Sequence, residues 1–368
     1  MAEKTVRIGV IGVGFGNQVH IPGLQSEGVE VVAVCARREE RAQEAAQRFG
    51  IPHVFTDYRD LVRMPGLDAV SIASPVPLHH PMAMAALEAG KHVLCEKPFT
   101  THQAKAREMW QKAKSTGLTA MIAHEFRFAS ARMRVKELLD EGYVGPLHFA
   151  QMSLAFGPRR PLQQARPLSE RDDASQGNGF LWGLGSHYID CLRHWFGEIS
   201  WVSGRTLAHL GDRVDPGLGR VVQATADDTF SFAVGFAQGG WATMTGSTAA
   251  PFGPGARVEI YGRDGALVTP HVGIGVNPPS HGKLLGARVG EEGLHELPVP
   301  SRLEPFADDR DERLMPFRLL AREFARGIRE GTSPAPSFYD GYRCQQVLDA
   351  VRASSASGRV VEIAAEGD

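Results

Sequence analysis

The chain has 368 residues, a length that suits two domains better than one. Forty Lys and Arg against 42 Asp and Glu leave a formal charge of −2, and 43% hydrophobic with 22% charged residues is the composition of an ordinary globular protein. The near balance of charge argues against a basic surface for nucleic acid, and apolar runs such as Glu30 to Ala36 fall far short of the roughly 20 residues of a membrane-spanning helix. Neither a nucleic acid nor a membrane is therefore expected as a partner. Cys35, Cys95, Cys191 and Cys344 have no paired spacing, so neither a zinc ribbon nor a disulfide framework is indicated. With no signal-like apolar core after Met1, a reducing cytoplasm is the expected compartment.

From residue 5 to about 122 strand and helix patterns alternate. Val6–Ile11 is apolar and runs into a glycine-rich turn and a helical stretch; Val29–Cys35 is apolar and precedes a helical Arg38–Phe49. The alternation continues through Ala69–Ala73, helical Pro81–Ala89, strand His92–Cys95, helical Gln103–Thr116 and strand Leu118–Ala123. Continuous apolar strands between helices predict a parallel sheet covered on both faces. After a helical Ser130–Asp140 the pattern changes to strands without intervening helices: His148–Ala155, Trp201–His209, Thr229–Phe236, Trp241–Thr248 and Val258–Tyr261. Gln238-Gly239-Gly240 is a hairpin signal between two of them, so a mostly antiparallel sheet is expected. Pro316–Glu330 and Tyr339–Ser354 return to helical period, and Val360–Ile363 reads as a closing strand. Gly157–Gly179 and Pro270–Gly290 read as long irregular stretches, either ligand-enclosing loops or plain surface.

The first strand ends in Gly12-Val13-Gly14-Phe15-Gly16-Asn17, with a helix beginning near Asn17 to His20. Such a turn lets backbone N–H groups approach a pyrophosphate at the positive end of a helix dipole. The glycine spacing departs from the strict fingerprint, since the third glycine position holds Asn17; the signal rests on its place as the first turn of an alternating domain. The second strand ends in Cys35-Ala36-Arg37-Arg38, where an acid for the ribose hydroxyls is absent. Arg37 or Arg38 is suited to a 2′-phosphate, which makes NADP the expected cofactor and NAD the second choice.

The fifth strand ends in Cys95-Glu96-Lys97-Pro98. Taken with Gly12-Val13-Gly14, Pro75 through His79, Phe126-Arg127-Phe128 and Gly185-Ser186-His187-Tyr188-Ile189-Asp190, this resembles the Gfo/Idh/MocA oxidoreductases over nearly the whole chain. The resemblance implies an α/β fold: an N-terminal Rossmann doubly wound parallel sheet followed by an α+β domain with a large open, mostly antiparallel sheet. The expected division is 1–124 for the dinucleotide-binding domain and 125–368 for the substrate-binding and oligomerisation domain, with the C-terminal helices packing back on the first. It also implies a homodimer or homotetramer, and hydride transfer between a nicotinamide and a secondary alcohol or ketone of a sugar, polyol or related cyclic substrate. The two-faced strands Thr229–Phe236 and Trp241–Thr248 suit a sheet covered by a partner.

Lys97, at the carboxyl end of a parallel sheet, lies where such folds bind ligands; partial burial near cationic groups would lower its pKa toward acid–base range. Glu96 would position it, and Pro98 is a candidate cis proline. His187 fits the second catalytic position of the resemblance, hydrogen-bonding the reacting oxygen. The carboxylate that the family carries four residues earlier is replaced by Gly183. Three readings stay open: Lys97 as sole acid/base with His187 as partner, Asp172 or Asp173 as substitute acid, or a protein that binds dinucleotide without net redox chemistry, as a regulatory element or by transient oxidation leading to glycoside cleavage or epimerisation. Cofactor-side candidates are Gly12, Gly14, Phe15, Gly16, Asn17, Arg37, Arg38, Pro75, His79, Glu96 and Lys97; substrate-side candidates are Lys97, Arg127, Trp182 and His187. Arg159, Arg160 and Arg166 either grip an anionic substrate group or form a solvated loop face. His187, Asp190 and His194 share a helical face that suits a metal, but packing of Asp190 and His194 is the expected reading, and no metal is assigned.

Overall fold

The structure, a computed structural model, describes residues 5–157, 166–272 and 283–366. The chain divides into two compact units, with breaks after Phe128, Pro305 and Gln345.

The first unit is built on β1 (Arg7–Ile11), α1 (Ile21–Ser26), β2 (Glu30–Cys35), α2 (Glu39–Phe49), β3 (His53–Phe55), α3 (Tyr58–Val62), β4 (Ala69–Ile72), α4 (His79–Glu88), β5 (His92–Cys95), α5 (Gln103–Thr116) and β6 (Ala120–Ile122). The six strands are parallel in the order β3-β2-β1-β4-β5-β6. The order reverses between β1 and β4, and the crevice at the carboxyl ends of those strands is where doubly wound sheets receive ligands. Both faces are covered, which is why β1, β4 and β5 are apolar at nearly every position. One core joins Ile8 and Val10 to Leu24 and Ala42, the other joins Ile11 and Ile72 to Met82 and Met109. The returning segment adds Leu314, Phe317 and Phe324 to the first of these cores. Phe317 lies so close to Gly23 that a Cβ there would sit 2.5 Å from its ring.

The second unit contains α6 (Ser130–Asp140), β7 (Leu147–Ala155), β8 (Arg166–Pro167), α7 (Ser186–Phe196), β9 (Ile199–Leu207), β10 (Asp212–Val214), β11 (Val221–Gln223), β12 (Thr229–Phe236), β13 (Trp241–Ser247), β14 (Gly255–Gly262), β15 (Gly265–Val272), β16 (Leu284–Arg288) and β17 (His295–Leu297). α8 (Leu314–Glu330) belongs to the first unit, α9 (Phe338–Ser357) is divided between the two, and β18 (Val361–Glu362) belongs to the second. Nine strands form one sheet in the order β17-β16-β15-β14-β7-β13-β12-β9-β18, antiparallel except for the β7–β13 pair.

The stretch Pro270–Gly290 is less irregular than its composition suggests. β15 runs to Val272 and β16 pairs with it from Leu284, while residues 273–282 lie outside the described chain. Gly286 reads as a loop residue, yet a side chain there would meet Leu297 at 2.5 Å; it is a close-approach position inside a sheet. Of the other long stretch, Gly157–Gly179, residues 158–165, with Arg159 and Arg160, also lie outside the described chain. The remainder forms β8 and two short 3₁₀ turns, Glu170–Asp172 and Ala174–Gln176.

Candidate active site

The turn after β1 has the geometry a dinucleotide requires. Gly12 has φ +100°, a conformation that favours glycine, and a Cβ there would sit 2.4 Å from the Ala73 carbonyl oxygen. Its N–H donates to the Cys35 carbonyl at 2.9 Å, which ties the ends of β1 and β2 together. Gly14 is exposed, and a Cβ there would meet nothing within 4 Å, so a ligand's approach to the backbone is open. Gly16 begins a wide π-helical turn, Gly16–His20, that continues into α1, and Asn17 Oδ1 is buried without a hydrogen-bond partner. Residues Gly12 to Asn17 thus fit a pyrophosphate beside a helix start. Phe15 is half-buried, with the Arg313 guanidinium 5.0 Å over its ring.

Arg37 and Arg38 follow β2 directly and are exposed. Arg38 occupies the cap position of α2 in extended conformation. Pro75 is exposed and opens a 3₁₀ turn, Val76–Leu78. His79 is buried: its Nδ1 lies 3.0 Å from the Pro98 carbonyl oxygen and its Nε2 2.8 Å from that of Ser74. Burial pushes its pKa down, against the carbonyl contacts that favour the charged ring. The imidazole therefore bridges the loops after β4 and β5.

Lys97 follows β5, and the Lys97–Pro98 peptide is cis. Its backbone N–H donates to Glu96 Oε2 at 3.0 Å. Glu96 is buried, and burial alone would push its carboxyl up; the His20 hydrogen bond, with the charge of Lys97, outweighs that and holds it below the usual range. Glu125, in the 3₁₀ turn after β6, is buried too, and its carboxyl is pushed up to about 8, first by burial and then by the charge of Glu96. Glu96 and Glu125 both feel the charge of Lys97, so two carboxyls lie near its amine. Arg127 is buried, and its Nη2 donates to Asp340 at 2.7 Å, an ion pair between the turn after β6 and α9.

In the second unit, His187 is buried in the first turn of α7, directly after the turn Leu181–Gly185. Trp182 is fully buried, with the Arg352 guanidinium 3.5 Å over its ring. A Cβ built on Gly183 meets nothing within 4 Å. Both acids weighed as a substitute are engaged in hydrogen bonds of their own loop. Asp172 accepts from Arg166 at 2.6 Å, from Arg213 at 2.7 Å and from Ser169 N–H and Oγ at 2.9 and 2.8 Å. Asp173 accepts from Ser175 N–H and Oγ, both at 2.8 Å, as a turn cap. Arg166 is thus committed to Asp172. Asp227, which the sequence did not single out, accepts the Leu181 N–H at 2.8 Å and fixes the turn that leads to His187. Burial pushes its carboxyl up to about 6. Among the described residues, no group of three or more His, Cys, Asp or Glu is placed to hold a metal, and no helix is long and apolar enough to cross a membrane.

Residues 6–124 match the oxidoreductase family with an NAD-binding Rossmann fold, and residues 133–268 match the GFO/IDH/MocA C-terminal domain. An uncharacterized oxidoreductase of Synechocystis is 32% identical over 94% of this chain and 93% of its own. The levoglucosan dehydrogenase of Pseudarthrobacter phenanthrenivorans is 28% identical over 98% of both chains. Among solved structures, a levoglucosan dehydrogenase in complex with NADH and L-sorbose superposes with a TM-score of 0.85 at 24% identity, covering 98% of this chain and 99% of that one. The chain belongs to the Gfo/Idh/MocA family of nicotinamide-dependent oxidoreductases.

Proposed function

We propose that the protein transfers a hydride between NADP(H) and a secondary alcohol or ketone of a sugar, polyol or related cyclic substrate. Relatives named as dehydrogenases of levoglucosan, myo-inositol and D-apiose support that substrate class. The observation that carries the reading is the placement of Lys97 at the carboxyl edge of the parallel sheet, one strand from the switch point that holds the open Gly12–Asn17 turn. Bound at that turn, a nicotinamide dinucleotide supplies the hydride-accepting ring. Gly12, Gly14, Phe15, Gly16 and Asn17 hold its pyrophosphate side, and Pro75 and His79 border its nicotinamide side. Lys97 takes the proton of the substrate hydroxyl in oxidation and returns it in reduction, and His187 hydrogen-bonds the same oxygen.

The preference for NADP rests on Arg37 and Arg38. Both are exposed at the end of β2, beside the Gly12 turn, where an acid would favour NAD. A second copy of the chain over the nine-stranded sheet gives a homodimer or homotetramer; half-exposed Trp241 on that sheet favours a covered face. Four free, buried cysteines suit a cytoplasmic setting.

The test is titration of the purified protein with NADPH and NADH, followed by quenching of tryptophan emission. NADPH binding at least about tenfold tighter than NADH is the expected result, since one bidentate phosphate contact contributes more than about 1.4 kcal/mol. NADH binding tighter would overturn the assignment of Arg37 and Arg38, and binding of neither would overturn the redox reading.

A further inference from the structure

His20 closes the Gly16–His20 turn and has no exposed surface. Its Nδ1 lies 2.6 Å from Ser71 Oγ in β4, and its Nε2 lies 2.9 Å from Glu96 Oε1 at the end of β5. The other Glu96 oxygen accepts the backbone N–H of Lys97 at 3.0 Å. A row of Ser71, His20 and Glu96 therefore runs inside the carboxyl edge of the sheet, starting under the dinucleotide turn and ending at the lysine.

A serine, an imidazole and a carboxylate in hydrogen-bonded sequence would suit nucleophilic catalysis if the hydroxyl met substrate. Ser71 does not: it is fully buried, and its strand is paired on one side with Val10 and on the other with Leu94. With the Ser71 hydroxyl donating to Nδ1 and Nε2–H donating to Glu96, each member of the row is satisfied and the carboxylate has two donors. A buried carboxylate deprived of one such donor is costly and tends to take up a proton instead.

Resting on the reading of Lys97 as the acid/base group, we propose that His20, backed by Ser71, is a positioning residue: it holds the Glu96 carboxylate against the Lys97 backbone and so fixes the anionic surroundings of the Lys97 amine. The groups that bear on this arrangement include His20, Lys97, His79, Cys95 and Glu125 around Glu96, and Glu96, Lys97 and Arg313 around Glu125. The row also ties the lysine mechanically to the helix start that receives the cofactor, because His20 belongs to that turn.

The test reads Lys97 itself rather than turnover. Peptide-resolved mass spectrometry after pulse acylation with acetic anhydride, repeated across pH 6 to 11, gives the midpoint at which Lys97 becomes reactive. In Glu96→Gln and His20→Leu, loss of the neighbouring negative charge moves that midpoint down by about one unit, and His20→Gln, which keeps an N–H for Glu96, restores most of it. Circular dichroism checks that each variant is folded; Glu96→Gln, nearly isosteric, decides the matter if His20→Leu fails to fold. A midpoint unchanged in both Glu96→Gln and His20→Leu would overturn the proposal. Lys97→Gln, assayed alongside with NADPH and a sugar or polyol panel, addresses the other reading separately: full turnover there would remove Lys97 from catalysis while the labelling midpoints still judge His20.

Discussion

Glu125 in the first unit and Asp172 in the second are carboxyl groups of nearly equal burial, 2% and 3% exposed, yet they behave in opposite ways. Asp172 receives hydrogen bonds from Arg166, Arg213 and Ser169, which outweigh the upward push of burial and hold it below the usual carboxylate range. Glu125 faces the negative charge of Glu96, and burial with that charge pushes it up to about 8. How deeply a group is packed and which donors surround it together decide its charge. The second unit uses its buried acid as a clamp, closing the loop around residues 166–172 on β10. The first unit keeps a proton-bearing acid next to the candidate catalytic lysine, an arrangement that costs stability and that chemistry can use.

The largest expected effect falls on that lysine. Lys97→Ala lowers steady-state turnover about 10²–10⁴-fold, the usual contribution of a positioned acid–base group; a loss under tenfold would remove it from the reaction. Next comes Glu125→Gln, which sharpens the contrast with Asp172. Because the folded pKa of Glu125, about 8, lies above its ordinary value of 4.5, the folded chain keeps a proton that the unfolded chain has released between those limits. Its contribution to stability is therefore present in acid and is lost as pH rises through about 8. Gln mimics the protonated form at every pH, so the variant matches the parent near pH 4 and exceeds it at pH 8 by about 4 kcal/mol, at about 1.4 kcal/mol per pKa unit. Thermal melts at both pH values measure the gap; the same Tm difference at each would show that Glu125 titrates normally.

The two acids also mark what was legible in the sequence. The alternating unit and the Lys97 segment are readable because parallel strands buried on both faces are continuously apolar and because a glycine turn and a Glu-Lys-Pro element are local. β3 was not, since His53-Val54-Phe55 is three residues long and one of them is polar. β16 hid between glycines and prolines. Partners distant in the chain were out of reach altogether: His20 meets Ser71 and Glu96 across 51 and 76 residues, and Asp172 meets Arg213 across 41. A histidine six residues beyond Gly14, on a helix face that must be buried, is the one local hint that His20 has a polar partner inside.

In the second unit the expected effects are smaller. His187→Ala lowers turnover at least about tenfold if the imidazole bonds the reacting oxygen, the low side of acid–base contributions; unchanged turnover would take it out of the mechanism. The smallest effect is at Gly183, four residues earlier. Its φ is not in the left-handed range, its neighbours on both sides are helical, and a Cβ there meets nothing within 4 Å. Glycine at such a place costs about 0.5–1 kcal/mol relative to alanine through the freedom it loses on folding. Gly183→Ala therefore raises the midpoint of denaturant unfolding by that amount, and Gly183→Asp is accommodated without loss of fold. A destabilisation by alanine would show that the backbone at this turn must move, and would make the glycine a working part of the His187 segment instead of an open position beside it.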